Sequence, residues 1–146
     1  MAVSRSATAI WQGNLTEGKG SVSSNSSAHL QDLPVSWSAR TEDPKGISGP
    51  EELLAAAHAA CFSMALSNIL FKAGFTAERL EVRAKVTADK MDAGWTVVSS
   101  HLTVHGQVPG IDQEGFADAA DKAKDGCPIS RAMKGNVALS VEATLE

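Results

Sequence analysis

Residues 50–74 read PEELLAAAHAACFSMALSNILFKAG, and this stretch decides the fold. Pro50 suits the first turn of a helix, two acidic residues follow it, and Gly74 can end the helix. Through its middle the segment is apolar on nearly every side, which indicates a helix that is covered by protein all round. We therefore expect a long, buried central helix that runs from Pro50 to about Lys72.

The many alanines of this helix would allow a neighbouring helix to approach closely, which favours a homodimer. A chain of 146 residues forms one domain of ordinary size, which can bury a core without a metal or a disulfide. We therefore predict a single domain over residues 1–146. Because such a domain has few other helices to cover the central one, we expect a second copy of that helix from a partner subunit.

Alternating patterns before the helix predict strands. A hairpin turns at Gly13–Asn14, and a third strand is indicated by Val35, Trp37 and Ala39, which alternate with polar residues. In such a strand Arg40 faces away from Trp37, because successive side chains point to opposite faces.

The segment after the helix predicts a hairpin, a second helix and a last strand. Apolar and polar residues alternate over 80–89, and Asp92–Gly94 turns this strand back into an antiparallel partner. Asp112 can cap a helix that ends just before Cys127, and a final strand covers 137–145. The result is an α+β domain with mostly antiparallel strands around one buried helix.

Composition excludes several classes of function. The formal net charge is −4 and the basic residues are scattered, so no footprint for nucleic acid is present. The N-terminus lacks the apolar core of a signal peptide, and the longest apolar run, Leu53–Leu66, is too short and too polar to span a bilayer. We expect a soluble cytoplasmic protein that uses neither a membrane nor nucleic acid as partner.

The two cysteines, Cys61 and Cys127, point to thiol chemistry. In a reducing compartment, a disulfide between cysteines so far apart in the chain is expected to be transient and catalytic. Two cysteines cannot complete a zinc site, so no metal is expected. Cys127 stands at a helix N-terminus, which favours a thiolate, whereas burial among alanines is expected to raise the pKa of Cys61.

Residues 50–66 resemble the central helix of the OsmC/Ohr family. The motifs over 89–94 (DKMDAG), 108–111 and 122–130 support this likeness and follow in the same order. The helix and the DKMDAG turn are more similar to the OsmC branch than to the organic hydroperoxide resistance branch. The resemblance implies an OsmC-like fold, with antiparallel sheets around the central helix in a cytoplasmic, intertwined homodimer, and a cysteine peroxidase that reduces organic hydroperoxides.

The resemblance also assigns roles to residues. It makes Cys61 the attacking thiolate, Cys127 the resolving thiol, and Glu51 the acid that orients an arginine beside the attacking sulfur. Arg40 is the candidate for this arginine, because the first hairpin, which supplies it in the hydroperoxide resistance branch, has Lys19 instead. No prosthetic group is implied, only an external dithiol reductant such as a protein-bound lipoyl group.

Geometry limits how these residues cooperate. Glu51 and Cys61 are ten positions apart, or about 15 Å along a straight helix, so they cannot touch. Either the arginine bridges part of this gap, or Glu51 and its arginine serve Cys61 of the partner subunit, which we favour. An apolar pocket lined by Phe62, Met64 and Leu66 would suit an organic hydroperoxide better than hydrogen peroxide.

Other interpretations remain open. A buried cysteine such as Cys61 often packs as a small hydrophobic residue. His58, three residues earlier, suggests a metal ligand or a base, but a core histidine is the favoured interpretation. Alternative functions are a thiol–disulfide oxidoreductase, for which a CxxC motif is missing, and a non-enzymatic dimer that binds a small apolar ligand.

Overall fold

The computed structural model describes all residues from Met1 to Glu146. The chain forms two compact units, Met1–Leu53 and Leu54–Glu146. The elements in chain order are β1 (Ala7–Gln12), β2 (Lys19–Ser24), β3 (Leu33–Val35), α1 (Trp37–Thr41), α2 (Pro50–Lys72), β4 (Arg79–Met91), β5 (Gly94–Gln107), α3 (Gln113–Gly126), α4 (Pro128–Met133) and β6 (Ala138–Leu145). This mixture is the expected α+β class. The single domain expected over residues 1–146 stays a prediction.

The first unit contains an antiparallel sheet in the order β1-β2-β3. The predicted hairpin is confirmed, with Gly13 at a φ of 93°, a left-handed conformation that favours glycine. The predicted third strand is wrong beyond Val35, because the chain turns into α1. Ser36 starts this helix by accepting a hydrogen bond from the Ala39 N–H at 3.1 Å.

The short helix also corrects the orientation of Arg40. Trp37 and Arg40 are three residues apart in α1 and therefore lie on one face, not on opposite faces of a strand. The guanidinium of Arg40 lies 5.8 Å from the centroid of the Trp37 ring, which is the geometry of a cation–π contact.

The second unit contains a sheet in the order β4-β5-β6. The predicted hairpin of β4 and β5 is confirmed and antiparallel. The last strand, β6, is the exception to the mostly antiparallel pairing, because it pairs parallel to β5. The reason is the connection between them, because α3 and α4 carry the chain back to the end of the sheet where β5 begins.

One face of α2 packs into the core of the second unit. Phe62, Leu66 and Leu70 are fully buried there, together with Leu102 of β5 and Phe116 of α3. These helix positions recur every four residues and so form one stripe.

The other face of α2 is exposed within the single chain, so coverage all round, which was expected to include a helix of a partner subunit, stays a prediction. Met64 is 67% exposed and Phe71 is 72% exposed. The expected helix end is confirmed, since α2 ends at Lys72 and Gly74, two residues later, adopts a φ of 90°.

The apolar run Leu53–Leu66 was expected to be too short to span a bilayer, but it belongs to a helix of 23 residues, α2. The helix is long and apolar enough to cross a membrane by length and composition alone. One such helix is weak evidence, because the core helix of a soluble protein passes the same test.

Candidate active site

The structure brings the two predicted cysteines together from separate helices. Cys61 lies near the middle of α2, and Cys127 lies between α3 and α4. Cys127 is fully buried in the core, whereas Cys61 is half-buried and packs against it. Both thiols are free, and their side chains are within hydrogen-bonding reach of each other. The two predicted cysteines therefore belong to one site.

Backbone hydrogen bonds fix Cys127 on both sides. Its N–H donates to the carbonyl oxygen of Ala123 at 2.8 Å and so closes α3. Its own carbonyl oxygen accepts from the N–H of Arg131 at 2.9 Å and so opens α4. Pro128 occupies the first position of α4, where a missing N–H costs nothing. The sulfur is thus held at the junction of two helices.

Opposing effects act on the thiol of Cys61. Burial raises its pKa, as expected, and the neighbouring Cys127 thiol adds to the rise. A hydrogen bond from the backbone N–H of Ile129 lowers the pKa. Ile129 stands in the first turn of α4, where N–H groups have no partner within the helix. The sequence pattern predicts this helix terminus beside Cys127 but does not mark Ile129 as a contact of Cys61.

An ion pair in the first unit joins the predicted arginine and acid. The Nε of Arg40 donates to Oε1 of Glu51 at 2.8 Å, with 27% and 15% of the two side chains exposed. Glu51 stands in the first turn of α2, where a negative charge also favours the helix dipole. Because the bond uses Nε, the terminal nitrogens of the guanidinium keep donors for another acceptor.

The apolar lining expected for the substrate pocket is wrong. Phe62 and Leu66 are fully buried in the core, whereas Met64 is exposed in a groove that also includes Phe71 and Phe75. Residues two apart on a helix are about 200° apart around its axis, so these three side chains cannot line one pocket.

His58 is a core histidine, as favoured from the sequence. It is fully buried, with Nδ1 2.7 Å from Oγ of Ser100 and Nε2 2.8 Å from Oγ of Ser130. Burial lowers the pKa of the imidazole, which favours the neutral form. No pattern in the sequence marks either serine as a partner of this histidine. No group of three metal-binding side chains is present.

The chain is similar to known proteins in both sequence and fold. The family model described as OsmC-like protein matches residues 43–142. The chain is 42% identical over 142 residues to peroxiredoxin OsmC of Escherichia coli (strain K12), which covers 97% of this chain and 98% of that protein. It is 29% identical over 130 residues to the organic hydroperoxide resistance protein OhrA of Bacillus subtilis (strain 168), covering 85% and 86%. The crystal structure of OhrB of Bacillus subtilis superposes with a TM-score of 0.74 at 25% identity, covering 95% of this chain and 98% of that one.

Proposed function

Because the chain belongs to the OsmC-like protein family, we propose that it is a cysteine peroxidase that reduces organic hydroperoxides to alcohols, and hydrogen peroxide more weakly. Cys61 attacks the peroxide and Cys127 resolves the oxidised sulfur. The similarity to a peroxiredoxin and to organic hydroperoxide resistance proteins supports the activity. The observation that carries the two-cysteine mechanism is that Cys127, far away in the sequence, lies close enough to Cys61 to raise the pKa of its thiol.

The first step oxidises Cys61. Its thiolate attacks the distal oxygen of R–O–O–H, the O–O bond breaks, and the alkoxide leaves as the alcohol after taking a proton. The sulfur becomes a sulfenic acid, and the peroxide gains the two electrons. The Ile129 N–H favours the required thiolate, but burial opposes it, so a further positive group is needed.

Arg40 supplies that positive group. Arginine stays protonated at any relevant pH, so it can stabilise the thiolate and donate hydrogen bonds to the peroxide oxygen as charge moves onto the leaving group. Glu51 holds the guanidinium through Nε, and the Trp37 ring supports it from its face. The Glu51 carboxylate and the Arg40 guanidinium are thus preorganised before the peroxide binds.

The second step forms the disulfide. The sulfur of Cys127 attacks the sulfenic sulfur of Cys61, the S–O bond breaks, and water leaves. An external dithiol, for which a protein-bound lipoyl group is the candidate, then exchanges with the disulfide and restores both thiols. These steps use protein side chains and the two co-substrates, and they suit a reducing cytoplasm.

A homodimer completes the proposal. The uncovered face of α2, with Met64 and Phe71, offers an apolar surface for a second subunit. Glu51 and Cys61 stand ten residues apart on α2, and so about 15 Å apart along it. We therefore assign the Arg40–Glu51 pair of one subunit to Cys61 of its partner.

Mass spectrometry after one equivalent of cumene hydroperoxide, with thiol labelling, tests the activity. A peroxidase gives rapid loss of both thiols and a Cys61–Cys127 disulfide, while Cys61→Ser gives no disulfide. Two unreacted thiols in the wild type would remove the proposal.

Subunit exchange tests the shared site. Homodimers of Cys61→Ser and of Glu51→Ala are each expected to be impaired. Mixing them creates a heterodimer in which one site has an intact cysteine and an intact ion pair, so activity should reappear. A mixture that stays as inactive as its components would contradict sharing across the dimer.

A further inference from the structure

A buried polar network lies beside the cysteine pair and takes no part in the peroxidase steps described above. The ring of His58 is held between the hydroxyls of Ser100 and Ser130, and the three residues are 0%, 0% and 1% exposed. A neutral imidazole donates from one nitrogen and accepts at the other, so both ends of the ring are used. Buried polar groups are costly unless every bond is made, and the network therefore favours one arrangement of the elements it joins.

The network joins the same two segments as the thiol pair. In α2, His58 stands three residues before Cys61. Ser130 belongs to α4 and stands three residues after Cys127, the N-cap of this helix. Residues three apart on a helix lie on one face, one turn away from each other. Ile129, whose N–H bonds to the Cys61 sulfur, lies between Cys127 and Ser130.

The helix α4 needs such an anchor. It has six residues, and an isolated helix of that length is not stable in water. Its N-cap makes no side-chain hydrogen bond. Apolar packing of Met133 helps to bury the helix but does not fix its rotation, because hydrophobic contacts are not directional. The bond from Ser130 to His58 is directional and sits at the turn that carries Ile129.

We infer that His58 is a positioning residue, which acts through Ser130 to hold the first turn of α4 so that Cys127 and the Ile129 N–H both face Cys61. Ser100 of β5 fixes the other nitrogen of the ring and so sets the orientation from which His58 bonds α4. The role in turnover rests on the proposed function, but the prediction for the two thiols does not need peroxide.

The matched variants are Ser130→Ala and Ser100→Ala. Each removes one hydroxyl from a buried serine and one hydrogen bond from the same histidine, but only Ser130 belongs to α4. The readout is the equilibrium between the dithiol and the Cys61–Cys127 disulfide in glutathione buffers, which measures how well the two sulfurs are placed for each other. His101→Gln is a surface control, because His101 makes a 2.7 Å bond to Ser140 that is exposed.

The expected result is an equilibrium constant for disulfide formation about fivefold lower in Ser130→Ala, since one ordinary hydrogen bond shifts a local equilibrium by about that factor. For a two-electron couple this corresponds to a potential about 20 mV higher. Ser100→Ala is expected to shift less, and His101→Gln not at all. Equal shifts in the two serine variants, or no shift in Ser130→Ala, would overturn the inference.

A second readout uses peroxide. In Ser130→Ala, Cys127 should attack the sulfenic acid more slowly, so the sulfenic acid lives longer and a second peroxide can oxidise it to sulfinic acid. The hydroperoxide concentration that converts half of Cys61 to sulfinic acid should therefore fall about fivefold, in line with the loss of one hydrogen bond. If the wild type does not react with hydroperoxide but the glutathione equilibrium shifts as expected, the peroxidase assignment fails and the positioning role stands. If the wild type reacts and the serine variants do not differ, the positioning role fails alone.

His58→Gln replaces Ser130→Ala if the latter does not fold. An amide keeps one donor and one acceptor in the core but has a different reach, so both bonds cannot keep their length. This variant is expected to lower the disulfide equilibrium constant in the same direction. A wild-type constant in folded His58→Gln would contradict a positioning role for the imidazole.

Discussion

Replacing Glu51 by glutamine removes the charge that holds Arg40 while keeping the size of the side chain. The two groups meet at 2.8 Å and are only partly exposed. At charge centres about 4 Å apart and an effective dielectric constant of about 20, the attraction is on the order of 4 kcal/mol. Desolvation and the hydrogen bond that an amide can still accept offset most of this, which leaves a net loss of about 1–2 kcal/mol.

If that loss appears in the transition state, the second-order rate constant for oxidation of Cys61 falls about 5- to 30-fold. Stopped-flow mixing with cumene hydroperoxide and quenching with a thiol reagent measures this step before any reductant takes part. The matched control is Glu52→Gln, because Glu52 also lies in the first turn of α2 but accepts a hydrogen bond from Ser48, not from an arginine. A wild-type rate in Glu51→Gln, or an equal loss in the control, would refute the view that this ion pair orients the guanidinium for catalysis.

Three further outcomes follow from the structure. Cys127→Ala should move the midpoint of the pH profile for alkylation of Cys61 to lower pH, because the Cys127 thiol raises the pKa of Cys61; an unchanged or higher midpoint would contradict the contact. Gly106→Ala should lower the free energy of unfolding by about 1–3 kcal/mol, because its new Cβ would lie 2.3 Å from a buried phenylalanine ring of α3 and so overpack the core. Gly126→Ala is the control in thermal unfolding and should be neutral, because its new Cβ would meet no atom within 4 Å. Phe71→Lys should convert a dimer to monomers in sedimentation because it puts a charge on the uncovered apolar face of α2, and a wild type that is already monomeric would rule out the homodimer.

The parts of the fold that sequence predicts well are those with local signals. The start and end of α2 are marked by Pro50 and Gly74, and the strand β4 shows a clean alternation of apolar and polar residues. The short helix α1 is difficult to predict because Val35, Trp37 and Ala39 alternate with polar residues, as residues of a strand do. Ser36 gave a usable signal, since serine is a preferred N-cap and its hydroxyl accepts from the N–H three residues later.

Long-range partners explain the rest of what sequence analysis missed. The direction of β6 depends on where the chain returns after α3 and α4, although a helical connection between two strands already favours parallel pairing. The bonds from His58 to Ser100 and Ser130 span 42 and 72 residues, and no local pattern marks such partners. Family resemblance supplied the four candidate site residues, but it carried no information on these serines.

The different burial of the two sulfurs imposes an order on the chemistry. Cys127 is fully buried in the core, whereas Cys61 is only half-buried, so a peroxide can approach Cys61 but not Cys127. After the disulfide has formed, the same argument applies to the dithiol, because thiol–disulfide exchange needs access to the sulfur that is attacked. The dithiol should therefore attack Cys61 and expel the sulfur of Cys127, so that the mixed disulfide forms on Cys61. A monothiol added to the oxidised protein and trapped by acid should be found on Cys61 by peptide mass spectrometry, and a mixed disulfide on Cys127 would show that α4 opens during reduction.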